Sequence, residues 1–392
     1  MSLASLKQGV SPNVVLLALS VVMLGAVWLL DSASVAPNRI VPGTSYSLLD
    51  SIGWGGALLV TLLVVAFGAL TLKPDRVHYQ AMLLLVVLML ALMPFGLMVA
   101  GHYLIDPELA QARVGIGAGL WTLLFLLLLC LVELRLRLNM SRLVTTALLG
   151  LVALCWWLCA RLWLGDLALV QEFYSRQGAF FDALFQHLIL VASAVGASLL
   201  LGTALALLMR RSRRAEKVGF ALLNFFQTIP SLALFGLLLA PLAWLGANVT
   251  FLGDLGVSGI GNTPALIALI AYSLLPIARN TYIALAEVRP QTLEAATAMG
   301  MRPYQRFWQV RFPLALPVLL EGVRITTVQA VGLTAVAALI GAGGLGTFIF
   351  QGLGQAAMDM VLLGALPIVV LALIADAAIG ALAELTCHGG EA

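Results

Sequence analysis

Ala81-Met82-Leu83-Leu84-Leu85-Val86-Val87-Leu88-Met89-Leu90-Ala91-Leu92-Met93-Pro94-Phe95-Gly96-Leu97-Met98-Val99-Ala100 contains no charged residue. An α-helix of that length rises about 30 Å, the thickness of a bilayer's hydrocarbon core. A strand of a membrane barrel alternates polar and apolar residues, and the run Leu83-Leu84-Leu85-Val86-Val87 does not. Working outward, similar stretches lie near 14–30, 56–72, 115–132, 143–160, 183–208, 219–245, 263–285, 316–340 and 360–384. Over 392 residues, 62% are hydrophobic and 10% charged, against about 45–50% and 25% in soluble domains. That composition excludes a soluble globular protein and a disordered one. With 21 basic residues, 18 acidic and a net charge of +3, no broad basic face exists to bind nucleic acid. The expected fold is an all-α integral membrane protein of about ten transmembrane helices.

Lysine and arginine set the sidedness. With the N-terminus inside, Lys7, Lys73, Arg76, the Arg135–Arg142 group, the Arg210–Lys217 cluster and Arg279, Arg289, Arg302, Arg306 and Arg311 all fall inside. Arg39, Arg113, Arg161 and Arg176 fall outside, and Arg324 lies within a span. This asymmetry predicts an even number of crossings with both termini cytoplasmic. A competing reading makes Lys7, the first apolar run and Ser32-Ala33-Ser34 a cleaved signal peptide, although a run of 17 residues exceeds the usual 7–15.

The chain divides near residue 180. Residues 1–180 read as about five Leu-rich spans with short links, and residues 181–392 as the working half. There, prolines sit within spans (Pro230, Pro241, Pro276) and glycines cluster in loops. Irregular backbone at membrane depth is tolerated only where protein buries it or it lines a cavity. Tryptophans 28, 121, 156, 157 and 163 gather in the first half, where anchoring at the membrane interface accounts for them.

Enzyme chemistry finds little support. No Gly-Lys pair exists, so no phosphate-cradling P-loop forms. Scattered histidines and the lack of His-Glu-x-x-His or Cys-x-x-Cys argue against a metal site, and Cys155 and Cys159 read as small packing residues. Four cysteines make no disulfide framework. Gly341-Ala342-Gly343-Gly344-Leu345-Gly346 fits the dinucleotide pattern in letters, but it follows a membrane span instead of a strand. It reads as a tight turn where backbones approach closely. Ser258 misses the spacing of a Gly-x-Ser-x-Gly elbow. No catalytic residue, cofactor or metal is expected.

Residues 286–315 are the most informative loop. Pro290 suits a first helical position, Gln291 to Met299 is helix material, and Gly300 can end the helix in a left-handed conformation. Pro303 can start a second short helix, which Phe312-Pro313 is expected to break before the next span. Leu293, Ala296, Phe307 and Trp308 would form the apolar side of this knob. Physics alone leaves two readings open: an amphipathic loop on the lipid surface, or an element that docks into a groove on a partner.

Glu294-Ala295-Ala296, three residues, Gly300, nine residues, then Val310-Arg311-Phe312-Pro313 resembles the "EAA" loop of binding-protein-dependent ABC importer permeases. Val310 and Phe312 stand where that pattern has Ile and Leu. Thr228-Ile229-Pro230-Ser231-Leu232-Ala233-Leu234, Tyr272-Ser273-Leu274-Leu275-Pro276-Ile277-Ala278-Arg279-Asn280-Thr281-Tyr282, Leu314-Ala315-Leu316-Pro317 and the glycine turn look like the osmoprotectant (glycine betaine, choline) permeases. The likeness covers about 183–384 and implies a five-span, methionine-permease-like core in the bacterial cytoplasmic (inner) membrane. It also implies alternating access driven by a cytoplasmic ATPase dimer, which would hydrolyse ATP in place of this chain and grip the loop. An extracytoplasmic solute-binding protein and a second permease subunit, the same chain or another, would complete the importer within the membrane lipid.

The cargo implied is a small zwitterionic or quaternary ammonium solute. An amino acid such as methionine is the alternative, and an ion-coupled secondary transporter a more distant one, since midspans are nearly bare of ionisable groups. A translocation path would run past Pro230, Ser231, Tyr272, Pro276, Glu321, Arg324, Gly341, Gly343 and Gly344. Glu321 and Arg324, three apart on one helix face, either pair with each other or serve a cation path. Asp376 lies in the last third of the final span, within reach of water.

Overall fold

The computed structural model describes residues 12–388 apart from Ile40 and Ala110. Lys7 lies outside the described residues. The chain forms two compact units, residues 1–175 and 176–392.

In the first unit, helix α1 (Val14–Leu29) is followed by strands β1 (Ala33–Ala36) and β2 (Thr44–Tyr46). Then come α2 (Leu48–Leu70), α3 (Arg76–Leu104), β3 (Arg113–Ile116), α4 (Ala118–Leu138), α5 (Arg142–Leu162) and α6 (Ala168–Ser175). The strands make an antiparallel sheet in the order β2-β1-β3, with Ser34 opposite both Ser45 and Gly115. Because β1 leaves α1, β2 enters α2, and β3 joins α3 to α4, the sheet ties these four helices together at one end. Leu16, Met23, Phe67, Met82, Leu90, Leu127 and Leu134 fill the space between them, each fully buried. Four helices of this unit begin where a short polar side chain captures an orphan amide: Asn13 takes Leu16 N–H, Ser47 takes Asp50 N–H, Asp75 takes His78 N–H and Ser141 takes Val144 N–H.

Among the described residues, nine helices are long and apolar enough to cross a membrane, one fewer than expected. The shortfall is α1. Its 16 residues rise about 24 Å, because Leu30 turns extended to feed the sheet. Even so, Asn13 N–H bonds the Thr71 carbonyl at the far end of α2 (3.1 Å), so α1 runs the depth of that helix. The tryptophans are not all interfacial anchors: Trp156 is half-buried and donates to the Leu90 carbonyl (3.0 Å) inside the bundle. That carbonyl lies four residues before Pro94, which has no N–H to offer it.

The second unit comprises α7 (Gln177–Met209), α8 (Arg213–Thr228), α9 (Ser231–Asn248), the single turn α10 (Thr250–Asp254), α11 (Asn262–Glu287), α12 (Pro290–Ala298), α13 (Pro303–Gln305), α14 (Phe312–Ala337), α15 (Gly346–Gly354) and α16 (Met358–His388). The expected span 219–245 is two helices. Pro230 disfavours helical geometry at the residue before it, and Ile229 is extended (ψ 127°). Phe312-Pro313 does not break the chain before α14. A π-helical turn, Arg306–Arg311, runs straight into it, and Phe312 N–H reaches back to the Phe307 carbonyl. The wider turn passes Pro313, which needs no donor at a helix start. Helices α11 and α14 pack together, α7 lies against both, and α16 lies along α14.

Candidate functional site

The loop between α11 and α14 is a rigid elbow. Val288 leaves α11 extended (ψ 117°), and Pro290 begins α12. Gly300 ends that helix at φ +79°, with Met301 N–H closing on the Ala296 carbonyl (3.1 Å). An L-residue with a branched side chain is strained at that φ. Two bonds brace the elbow internally and a third ties it to a span. Arg306 Nη1 donates to Thr297 Oγ1 (2.6 Å), Arg302 N–H bonds Gln305 Oε1 (2.9 Å), and Arg311 Nε donates to the Leu285 carbonyl of α11 (2.9 Å).

The apolar side of the elbow faces inward, unlike the expected docking surface. Ala296 is buried, and Leu293 and Phe307 pack on Ala284, Leu285, Val288 and Ala315. Burying these side chains against the spans satisfies them locally. The outer face presents Glu294, Ala295 and Ala298 from α12 and Met299 just after it, with Tyr304 and Trp308 also exposed. Trp308 rests edge-on against Phe307 (89°, 5.2 Å between centroids) and lies 5.2 Å from Phe312. Val310 is half-buried in the π turn, and Pro313 is exposed.

The break at Pro230 is braced by α11. Proline lacks the N–H that would serve the carbonyl four residues earlier, so Pro276 orphans the Tyr272 carbonyl inside α11. Gln227 Nε2, from the end of α8, donates to that carbonyl (2.6 Å). In return the Tyr272 hydroxyl donates to the Ile229 carbonyl at the break. Tyr272 is therefore fixed as a brace, and its ring is buried with Phe235 and Ala265. Gln227 carries no signal in the sequence beyond its place three residues before a proline. Pro230 is exposed, and Ser231 opens α9.

Arg324 on α14 reaches across to α16. Its Nε and Nη2 donate to the two carboxylate oxygens of Asp376 (2.6 and 2.8 Å), a bidentate fork. Glu321, the partner expected from spacing, takes only Nη1 at 3.3 Å. The stronger bond is thus the one between helices, because a guanidinium fork matches a facing carboxylate better than one on its own helix face.

Gly341, Gly343 and Gly344 all adopt φ between +75° and +81°. Gln186 of α7 donates to the Ala342 carbonyl (2.8 Å), and a side chain at position 343 would collide with Gln186. His187 Nε2 bonds the Val331 carbonyl (3.1 Å), and its ring packs against Gly344. Gly261 N–H bonds the Ile340 carbonyl (2.7 Å). The glycines thus form a close-packed turn joining α7, α11 and α14. No cluster of metal-ligating side chains exists among the described residues.

Residues 198–385 match the family model of binding-protein-dependent transport system inner membrane components. Residues 11–170 match that of the ABC transporter permease YehY N-terminal domain. The osmoprotectant import permease OsmW of Salmonella typhimurium is 40% identical over 192 residues, which cover 49% of this chain and 84% of that protein. The carnitine transport permease OpuCB of Listeria monocytogenes is 35% identical, covering 50% and 84%. A solved structure of the methionine ABC transporter MetNI, in an inward-facing conformation, covers 54% of this chain and 98% of its own at 23% identity and a TM-score of 0.46. With Glu294-Ala295-Ala296 on a capped helix outside the spans and 84% of an osmoprotectant permease matched, the chain belongs to the permease subunits of binding-protein-dependent ABC importers, in the osmoprotectant family.

Proposed function

We propose that residues 181–392 form the permease core of an ATP-driven importer for a small zwitterionic or quaternary ammonium solute. The observation that carries the reading is the elbow, which Arg311 bonds to α11 and whose π turn runs on into α14. An equilibrium between access states shifts only by a partner's differential interaction with each state. A short helix packed on Ala284 and Ala315 of the two spans passes a displacement on, where a slack loop would absorb it. The outer face of α12 is then the surface gripped by a cytoplasmic ATPase dimer, and it is that dimer that hydrolyses ATP. Relatives named as osmoprotectant, carnitine and choline permeases support the cargo class.

The excess of Lys and Arg on the elbow side supports a cytoplasmic elbow and cytoplasmic termini, with the three-stranded sheet outside. The lack of an aromatic cage in the sequence supports selection of the solute by a separate binding protein. A second permease subunit would enclose the path with Pro230, Ser231, Pro276 and the turn at Gly341, Gly343 and Gly344.

The test is uptake of radiolabelled glycine betaine and choline by cells carrying the chain with its partners, against unlabelled methionine as competitor. Gly300→Val and Glu294→Lys should each abolish uptake with the protein still in the membrane. A cysteine at Ala298 should crosslink to the ATPase. Normal uptake by both variants, or no crosslink in working membranes, overturns the coupling role; methionine competition without betaine uptake overturns the cargo.

A further inference from the structure

The first unit contains a cavity of about 340 Å³ that no part of the transport reading uses. It lies among α2, α3 and α4. Its lining is apolar except at one end, where the hydroxyls of Ser32 and Ser51 meet (2.9 Å). Both serines are buried, at 7% and 2% exposure. Ser51 in turn donates to the Ser47 carbonyl (2.7 Å). The cavity exists because α2 and α3 present small residues to each other: Gly56, Gly96 and Ala100 line it. A Cβ built on Gly96 would meet only Ile52, at 4.0 Å.

Three features identify what fills it. The polar end sits beneath the sheet, beside Ser47 and the 76%-exposed Trp54, the kind of residue that marks the headgroup level. From Met89 to Ala100 the lining follows α3 for about 16 Å, close to one leaflet's share, about 15 Å, of the hydrocarbon core. The side wall includes Leu59, itself 51% exposed on the outer surface of α2, so the cavity opens sideways toward the surrounding chains. An empty apolar void forfeits dispersion contacts along its whole wall, and the fluid at its mouth is hydrocarbon. The volume lies within the range of sites that enclose a small ligand.

We infer that this cavity seats one acyl chain of a membrane phospholipid, drawn from the leaflet adjoining the sheet, with its ester end toward the sheet. The lipid fills the space between α2 and α3 that glycine leaves open. Met89 and Met93 line the seat yet are 4% and 6% exposed. Bulk lipid therefore reaches them only through it.

The experiment uses the full chain in its native membrane, supplemented with a phosphatidylglycerol carrying a diazirine along one palmitoyl chain. After irradiation, adducts are mapped by mass spectrometry. Adducts at Met89 and Met93 should at least equal those at Leu84, which is 69% exposed. Gly96→Leu should lower the Met89 and Met93 signal about tenfold, equivalent to about 1.4 kcal/mol of occupancy, and leave Leu84 unchanged. Leu92→Trp, at the same wall, is the second variant should the first fail to accumulate. A parallel arm with diazirine palmitic acid separates free fatty acid from phospholipid. Absence of adducts at Met89 and Met93 in the native chain, signals indifferent to both variants, or labelling by the free acid alone each overturns the proposal.

Discussion

Gln227→Met tests whether the brace between α8 and α11 rests on the proline at 276. The substitution keeps the length of the side chain and removes the amide that bonds the Tyr272 carbonyl at 2.6 Å. That carbonyl then has no partner, since Pro276 carries no N–H, and Tyr272 is only 6% exposed. Orphaning a buried acceptor costs about 1–3 kcal/mol. Polar contacts between membrane helices average nearer about 0.6 kcal/mol, because the separated helices find other partners. A carbonyl orphaned by proline within its own helix gains no new intrahelical donor on separation, so about 1–2 kcal/mol is expected here. The decisive comparison is Pro276→Ala, which restores an N–H at 276 for the Tyr272 carbonyl. In that background Gln227→Met should cost less than about 0.5 kcal/mol, the limit of ordinary additivity. Unfolding of the detergent-solubilised chain, followed by tryptophan fluorescence in a four-member cycle, reads both costs. Equal costs in the two backgrounds would refute the claim that Gln227 answers Pro276.

Asp376→Asn should weaken the link between α14 and α16 by about 1–2 kcal/mol, discounted from a fully buried pair because both side chains are partly exposed; a reversed pair, Arg324→Asp with Asp376→Arg, should recover most of it, and no recovery would count against a direct bond. Gly346→Ala places a methyl group onto the Ala335 carbonyl oxygen and should sharply reduce the folded yield by size-exclusion chromatography, whereas Gly332→Ala, in open space, should not. The carboxyl of Asp75 is held below its usual range, first by the His78 backbone N–H and then by the His78 ring. Its support for the start of α3 is therefore full above about pH 4, the unfolded carboxyl value, and fades as pH falls through the lower folded value. Amide exchange at His78 should speed up on acidification in the native chain and be pH-insensitive in Asp75→Ala once intrinsic exchange is divided out.

The parts of this architecture that were legible in the chain are those written in contiguous residues. Uncharged runs such as Ala81–Ala100 became helices because a bilayer leaves the backbone no other way to satisfy itself. Pro290 and Gly300 bracket α12 because each residue's own backbone preference suits its place. What spacing missed depends on distant residues. Arg324 and Asp376 lie 52 positions apart, so the nearer Glu321 looked like the better partner. The break at Pro230 was hidden inside an apolar stretch that continues past it, and the strands Ala33–Ala36 and Arg113–Ile116 are too short to show a period. The inward turn of Leu293 and Phe307 follows from the space beside Ala284 and Ala315, which no local pattern reports. At the turn Gly341 to Gly344, glycine content marked the tight backbone, but not Gln186 and His187, which fill the space beside it.

The continuity of the chain from Pro303 to Ile340 has a mechanical consequence. These 38 residues form a shaft about 57 Å long by helical rise, and the Arg324–Asp376 clasp grips it about 32 Å from the elbow end. If the shaft pivots there as one body, the clasp is a fulcrum. A sideways push at Pro303 emerges at the glycine turn reversed in direction and about three-quarters as large, the ratio of the two arms. Spin labels at the two ends, each measured against α7, should then move in antiphase as nucleotide binds to the assembled importer; movement in the same direction would mean the shaft slides without tilting.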